Sequence, residues 1–192
     1  NKSDFVFVGV PTPMTSVDGG KIDLSIMDSV FEDLSKLNKN ENTIFIIKST
    51  VIPGTTKAYQ QKYKNLKIIF NPEFLTERSA NLDFINTSRI ILGGDTEDVE
   101  AVEKLYRDRF PYTKIIKTDP TSAEFIKYMC NCFFATKISF MNEMSNIAEK
   151  VGADINKIRI GIGSDKRIGY SFIYPSVEYG GSCFPKDVRS II

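Results

Sequence analysis

Between Thr121 and Val151 the chain has neither glycine nor proline, and its apolar residues recur at helical spacing. That predicts a single helix of about thirty residues, roughly 45 Å long at 1.5 Å per residue. Asp119 and Pro120 precede it, and Gly152 closes it. The segments on its two sides carry different apolar patterns. A sheet half is therefore expected ahead of it and a helical half behind it, with the long helix as the spine.

In the first half, "FVFVGV" (Phe5–Val10), "TIFIIKST" (Thr43–Thr50), "KIIFNP" (Lys67–Pro72), "RIILGG" (Arg89–Gly94) and "TKIIKT" (Thr113–Thr118) read as strands. Leu24–Leu37 and Thr96–Phe110 carry the helical period, with Thr96 as the expected N-cap, and "TTKAYQQKYK" reads as a short helix. Near-continuous apolar strands between amphipathic helices imply parallel pairing with both faces covered. Beyond Gly152, "ADINKIRIGI" predicts a short helix, and Gly161 and Gly163 read as part of a plain loop. A dinucleotide-binding sheet opens with a strand and G-x-G-x-x-G. This chain has no such fingerprint, so if the sheet belongs to a Rossmann domain, its first βαβ unit is missing from it.

Composition narrows the chemistry. A net charge of +1 gives no electrostatic case for nucleic acid or an anionic membrane. No apolar run approaches the ~20 residues of a membrane span. Three cysteines suit a reducing compartment, the cytoplasm, better than a disulfide framework. The absence of histidine removes Ser-His and Cys-His triads and makes a zinc site implausible. No metal is expected. Proton transfer falls to Lys, Asp, Glu, Tyr or water.

Three constellations remain. In "SVEYGGSCFPKD" (Ser176–Asp187), Gly180 and Gly181 allow backbone to approach a ligand, and Lys186 stands three residues beyond Cys183. This is a reactive thiol or a tight turn with an incidental one. Cys130 and Cys132, two apart on the long helix, read as small core residues. Glu124, Lys127 and Asn131 share one helix face. Either they form a solvated stripe, with Phe125, Met129, Cys132 and Phe133 as the core face, or Lys127 and Asn131 hold a reacting alcohol. Finally, "VGVPTP", "STVIPGTT" and "NPEFLTERSA" all come after strands, where ligands bind in open α/β sheets. Ser49, Thr50, Asn71 and Glu73 sit there.

Taken in order and spacing, "VPTP", "STVIPGTT", "NPEFLTERSA", "EFIKYMCNCFFATKISFMNEMSNIAEKVGAD", "DKRIG" and "YGGSCFPKD" resemble the UDP-glucose 6-dehydrogenase family over essentially the whole chain. The resemblance implies the C-terminal half of a Rossmann-like parallel sheet (residues 1–118), then a central helical, dimerising domain (119–192). It implies NAD as cofactor, a UDP-sugar as substrate and a homodimer through the long helix. The reaction implied is a two-step oxidation of UDP-glucose to UDP-glucuronate through a cysteine thiohemiacetal and thioester.

Residue by residue, the resemblance makes Cys183 the nucleophile, with Asp187 beside the reacting centre. Lys127 and Asn131 match contacts to the sugar oxygen, and Thr50 and Glu73 match a pair associated with a catalytic water. Glu73, Phe74, Leu75, Thr76 and Glu77 match a substrate loop, with Glu77 also near the cofactor. Val8, Gly9, Val10, Pro11, Thr12, Ser49, Thr50 and Val51 match cofactor-lining turns, and Cys183 also borders the cofactor. Arg167 matches an arginine reaching a neighbouring subunit's site. Tyr174, Pro175, Ser176, Val177, Glu178, Tyr179 and Gly180 match the loop over the nucleotide-sugar. Glu178 stands where the family usually has glycine. The likeness starts partway into the cofactor domain and stops after "GGSCFPKDVRSII", so a fragment of a longer protein is expected. GDP-mannose and UDP-N-acetylmannosamine dehydrogenases, short-chain β-hydroxyacid dehydrogenases and a catalytically silent oligomerisation module are the competing readings.

Overall fold

The computed structural model describes residues 3–16, 21–76, 78–177 and 183–190, the last stretch without the Cys183 side chain. It forms two compact units, Asn1–Lys127 and Tyr128–Ile192.

The first unit is a five-stranded sheet in the order β1 (Phe5–Val8), β2 (Ile44–Ile47), β3 (Lys67–Phe70), β4 (Arg89–Gly93) and β5 (Lys114–Thr118). Helices α1 (Ser25–Leu37), α2 (Thr55–Lys62), α3 (Ala80–Ile85) and α4 (Thr96–Arg109) connect the strands. Side chains alternate across a strand, so continuous apolar strands feed two cores. Phe45, Ile47, Ile68 and Phe70 meet Met27 and Phe31 of α1 and Tyr59 of α2 on one face. Ile44, Ile46, Ile69 and Leu92 meet Val99, Val102 and Tyr106 of α4 on the other.

The sheet bears out the expected α/β architecture, with three differences of detail. The β3–β4 pair, Phe70 with Gly93, is antiparallel, whereas the other pairings are parallel. A buried apolar strand carries no signal of its direction, so the pattern could not show this. Thr96 lies inside α4, whose N-cap is Asp95. Helix α3 falls within a segment for which the sequence pattern predicts no element.

The expected long helix is α5 (Pro120–Lys150). Its start lies close against β4: a Cβ placed on Gly93 would meet Ala123 Cβ at 2.5 Å and the Asp119 carbonyl at 2.9 Å. Only a glycine allows that approach.

The second unit contains most of α5, then α6 (Ile155–Gly163) and α7 (Cys183–Ser190). Asp154 caps α6, accepting from the Asn156 and Lys157 amides. Gly161 and Gly163 belong to this helix rather than to a loop, and Gly163 packs under the Tyr170 ring. Phe134 of α5 stacks on Phe172 at 4.0 Å between ring centres, and Phe184 of α7 meets both edge-on. This aromatic cluster seats α7 on α5.

Candidate active site

In the first unit the turns after β1 and β2 are tied into one assembly. Ser49 Oγ accepts from the Val10 amide at 2.8 Å and donates to the Val10 carbonyl at 2.7 Å. Thr12 Oγ1 donates to the Thr50 carbonyl at 2.9 Å. Val8 and Val51 are core residues beneath the turns, Thr12 is buried, and Gly9 and Pro11 are exposed. A Cβ on Gly9 would meet nothing within 4 Å, so open space lies over the turn. These tied backbones beside free volume fit a cofactor at the carboxyl ends of β1 and β2.

The segment after β3 lies beside them. Glu73 Oε2 pairs with Lys48 Nζ at 3.0 Å, and Oε1 accepts from the Phe74 amide at 3.2 Å. The Phe74 ring has Arg89 at 4.4 Å and Lys127 Nζ at 5.3 Å from its centre. Leu75 is half-buried. Asp83 holds Thr76 through the backbone amide at 2.8 Å and the hydroxyl at 2.6 Å, and also binds Ser79. These bonds hold the Asp83 carboxyl below its ordinary range. Glu77 lies outside the described residues.

The face carrying Glu124, Lys127 and Asn131 is not a solvated stripe. Glu124 is 0% exposed, Lys127 9% and Asn131 7%, whereas Phe125, Met129 and Phe133 are 43%, 50% and 61% exposed. The alternative that made Phe125, Met129, Cys132 and Phe133 the core face is thus corrected. Tertiary hydrogen bonds make the burial of Glu124 possible: it accepts from the Gly54 amide at 2.5 Å and the Thr56 amide at 2.7 Å. Those amides are the unsatisfied donors at the start of α2, where Gly54 adopts φ 99°. Burial pushes the Glu124 carboxyl up, and the two amides oppose it. Cys130 and Cys132, expected in the core, are only partly buried. Burial, and then the Asp187 charge, push the Cys132 thiol up.

In the second unit Asn131 Nδ2 donates to Asp187 Oδ2 at 2.5 Å, with Asp187 1% exposed. The other oxygen, Oδ1, has no hydrogen-bond partner and lies 3.9 Å from Lys186 Nζ. Lys186 is therefore directed to Asp187. Asp187 stands on α7, whose first residue is Cys183, so the segment read as a turn is helical from the cysteine onward. Arg167 is exposed and grips Asp165 at 2.6 Å. Arg159 lies over the Tyr174 ring at 4.2 Å, and the Ser176 amide donates to Asn142 Oδ1 at 2.8 Å. Pro175 is half-buried and Val177 exposed. Glu178, Tyr179 and Gly180 lie outside the described residues.

Lys48 and the bonds of Glu124 escaped the sequence reading. The available signal for Lys48 was its place at the end of a buried strand, immediately before Ser49. Among the described residues no helix is long and apolar enough to cross a membrane, and no cluster of His, Cys, Asp and Glu could hold a metal.

Comparison with known proteins is consistent over both units. The family model for the UDP-glucose/GDP-mannose dehydrogenase NAD binding domain matches residues 1–109, and that for the family's central domain matches 121–192. The chain belongs to the UDP-glucose/GDP-mannose dehydrogenase family. Its cofactor is NAD. The UDP-glucose 6-dehydrogenase YwqF of Bacillus subtilis (strain 168) is 40% identical over 100% of this chain and 44% of its own length. A UDP-glucose dehydrogenase structure from Pyrobaculum islandicum has a TM-score of 0.82 at 32% identity, covering 98% of this chain and 45% of that one. A UDP-D-ManNAc dehydrogenase from Pyrococcus horikoshii has a TM-score of 0.84 at 25% identity, covering 98% and 46%. The chain thus spans less than half the length of the curated relatives it matches. Within this dehydrogenase family the matched regions contain the tied turns, Glu73, Lys127, Asn131, Cys183 and Asp187.

Proposed function

We propose that the full-length protein containing this chain is an NAD-dependent UDP-glucose 6-dehydrogenase that oxidises the C6 alcohol to a carboxylate in two steps. The observation that carries this is the buried Asn131–Asp187 pair, which fixes the helix that Cys183 begins. Family membership and 40% identity to a UDP-glucose 6-dehydrogenase support the substrate. We divide the chain at Asp119, with residues 1–118 binding NAD and 119–192 carrying the substrate chemistry. Free thiols and NAD chemistry suit a reducing cytoplasm.

In this reading NAD, when bound, takes up the electron pair of each of the two oxidations. The turns Val8–Thr12 and Ser49–Val51 hold it. Lys127 accepts the alcohol proton in the first oxidation. Cys183, as the thiolate, adds to the aldehyde carbon to give a thiohemiacetal. Lys127 and Asn131 stabilise the oxyanion. The second oxidation leaves a thioester on Sγ. Glu73, with Thr50, takes a proton from water, which attacks the thioester carbon and releases acid and thiolate. The residues Glu73–Glu77 and Tyr174–Gly180 are assigned to binding of the nucleotide-sugar, and Arg167 to the partner's site. The exposed stripe of Phe125, Met129, Phe133, Phe140 and Ile147 on α5 supports a homodimer through that helix.

The test is stoichiometry in the full-length protein. Two NADH should form per acid from UDP-glucose, with GDP-mannose and UDP-N-acetylmannosamine poorer substrates. One NADH per turnover, with aldehyde as product, would overturn the two-step reading. Preference for either other sugar would overturn the substrate.

A further inference from the structure

Lys48 comes directly after the last residue of β2, and its side chain is 19% exposed. Its ammonium donates to Asn71 Oδ1 at 2.9 Å and lies 3.0 Å from Glu73 Oε2. Asn71, 2% exposed, is fixed independently: its Nδ2 donates to the Ile91 carbonyl at 2.8 Å, and Tyr106 OH donates to its Oδ1 at 2.5 Å. The arrangement runs from β4 and α4 through Asn71 and Lys48 to the carboxylate of Glu73. A long, rotamer-rich glutamate is thereby given one position, with Oε1 also engaged by the Phe74 amide.

We propose that Lys48 is a positioning residue for the water-attack step, holding the Glu73 side chain aimed so that its carboxylate can take the proton of the attacking water. The proposal rests on the role given above to Glu73 and names the group through which that role is exerted. The ammonium does not exchange protons in the step. Its contact holds one oxygen of the Glu73 carboxylate in place, and its bond to Asn71 keeps it from swinging to solvent. Burial pushes the Lys48 ammonium down, Glu73 pulls it up, and the Lys127 charge adds to the downward push. The charged and titratable groups around the pair are therefore Lys127 from α5, Tyr106 from α4 and Arg89 from β4, the last lying over the Phe74 ring.

In the full-length protein, the two oxidations and the hydrolysis of pre-formed thioester are timed separately for wild type, Lys48→Met, Lys48→Gln, Lys48→Arg and Glu73→Gln. The expected result is acid release slowed by about tenfold or more in the Met and Gln variants, with thioester accumulating on the enzyme while the oxidations keep their rates, a split that a merely structural lysine would not produce. Lys48→Arg should restore acid release. Glu73→Gln should abolish it. Undiminished acid release in both uncharged variants, beside an inactive Glu73→Gln, would overturn the role of Lys48 alone. Undiminished acid release by Glu73→Gln would overturn the Glu73 assignment and that of Lys48 with it.

Discussion

Asn131 Nδ2 donates to Asp187 Oδ2 across 56 positions of sequence, joining α5 to α7 with both side chains buried. The buried amide nitrogen and one oxygen of the buried carboxylate satisfy each other. Removing one strands its partner. Asp187→Ala should cost about 1–3 kcal/mol in urea unfolding. Adding Asn131→Ala should then cost less than it does alone, with a coupling of about 1 kcal/mol. Strict additivity would show that the pair does not interact in solution.

Glu124 closes the start of α2 from α5. Glu124→Ala leaves two backbone amides without their acceptor and should destabilise the chain by about 2–3 kcal/mol. The pH dependence has a definite sign. Burial raises the folded-state value, so the contribution is full below the ordinary glutamate range and is lost as pH rises through the raised value. From about pH 4 upward, wild type should lose stability relative to Glu124→Gln. Parallel unfolding curves for the two proteins across that range would contradict this.

Lys127 is buried on the face of α5 that also carries Glu124 and Asn131, and Lys127→Ala tests the role given to it. In the full-length protein the same change should slow turnover by about 10²–10⁴-fold, the usual contribution of acid–base assistance. A loss below tenfold would return Lys127 to a structural role.

The apolar stripe on α5 should be covered in solution. Phe133 and Phe140 are 61% and 56% exposed in the single chain. Sedimentation should show a dimer for wild type at roughly tens of micromolar and a monomer for the double variant Phe133→Glu, Phe140→Glu. A monomeric wild type at that concentration would remove the case for a strong interface.

Strands were legible because burial on both faces writes an unbroken apolar run, as in Ile44–Ile47. Helix α5 was legible through its period and the absence of glycine and proline. Its orientation was not. Phe125, Met129 and Phe133 announce an apolar face, but no local feature says whether the same chain covers it. The burial of Glu124 depends on amides 70 and 68 positions away, and such partners leave no mark near the residue. The direction of β4 and the short helix α3 were hidden for related reasons: one is set by the connection rather than by the strand, and the other is too short to establish a period. The site turns were legible from their place after strands. Lys48 was not, because a lysine at a strand end reads as solvated until Asn71 and Glu73 are seen to hold it.

The central claim is that Cys183 carries the sugar covalently. Its most direct measurement is intact-mass and peptide-mass spectrometry of acid-quenched full-length protein turning over UDP-glucose with NAD. The account predicts an adduct of the nucleotide-sugar acyl group on the peptide containing Cys183, absent in Cys183→Ser, together with loss of acid release in that variant. Near-normal acid release by Cys183→Ser, with no adduct on the wild-type peptide, would contradict it.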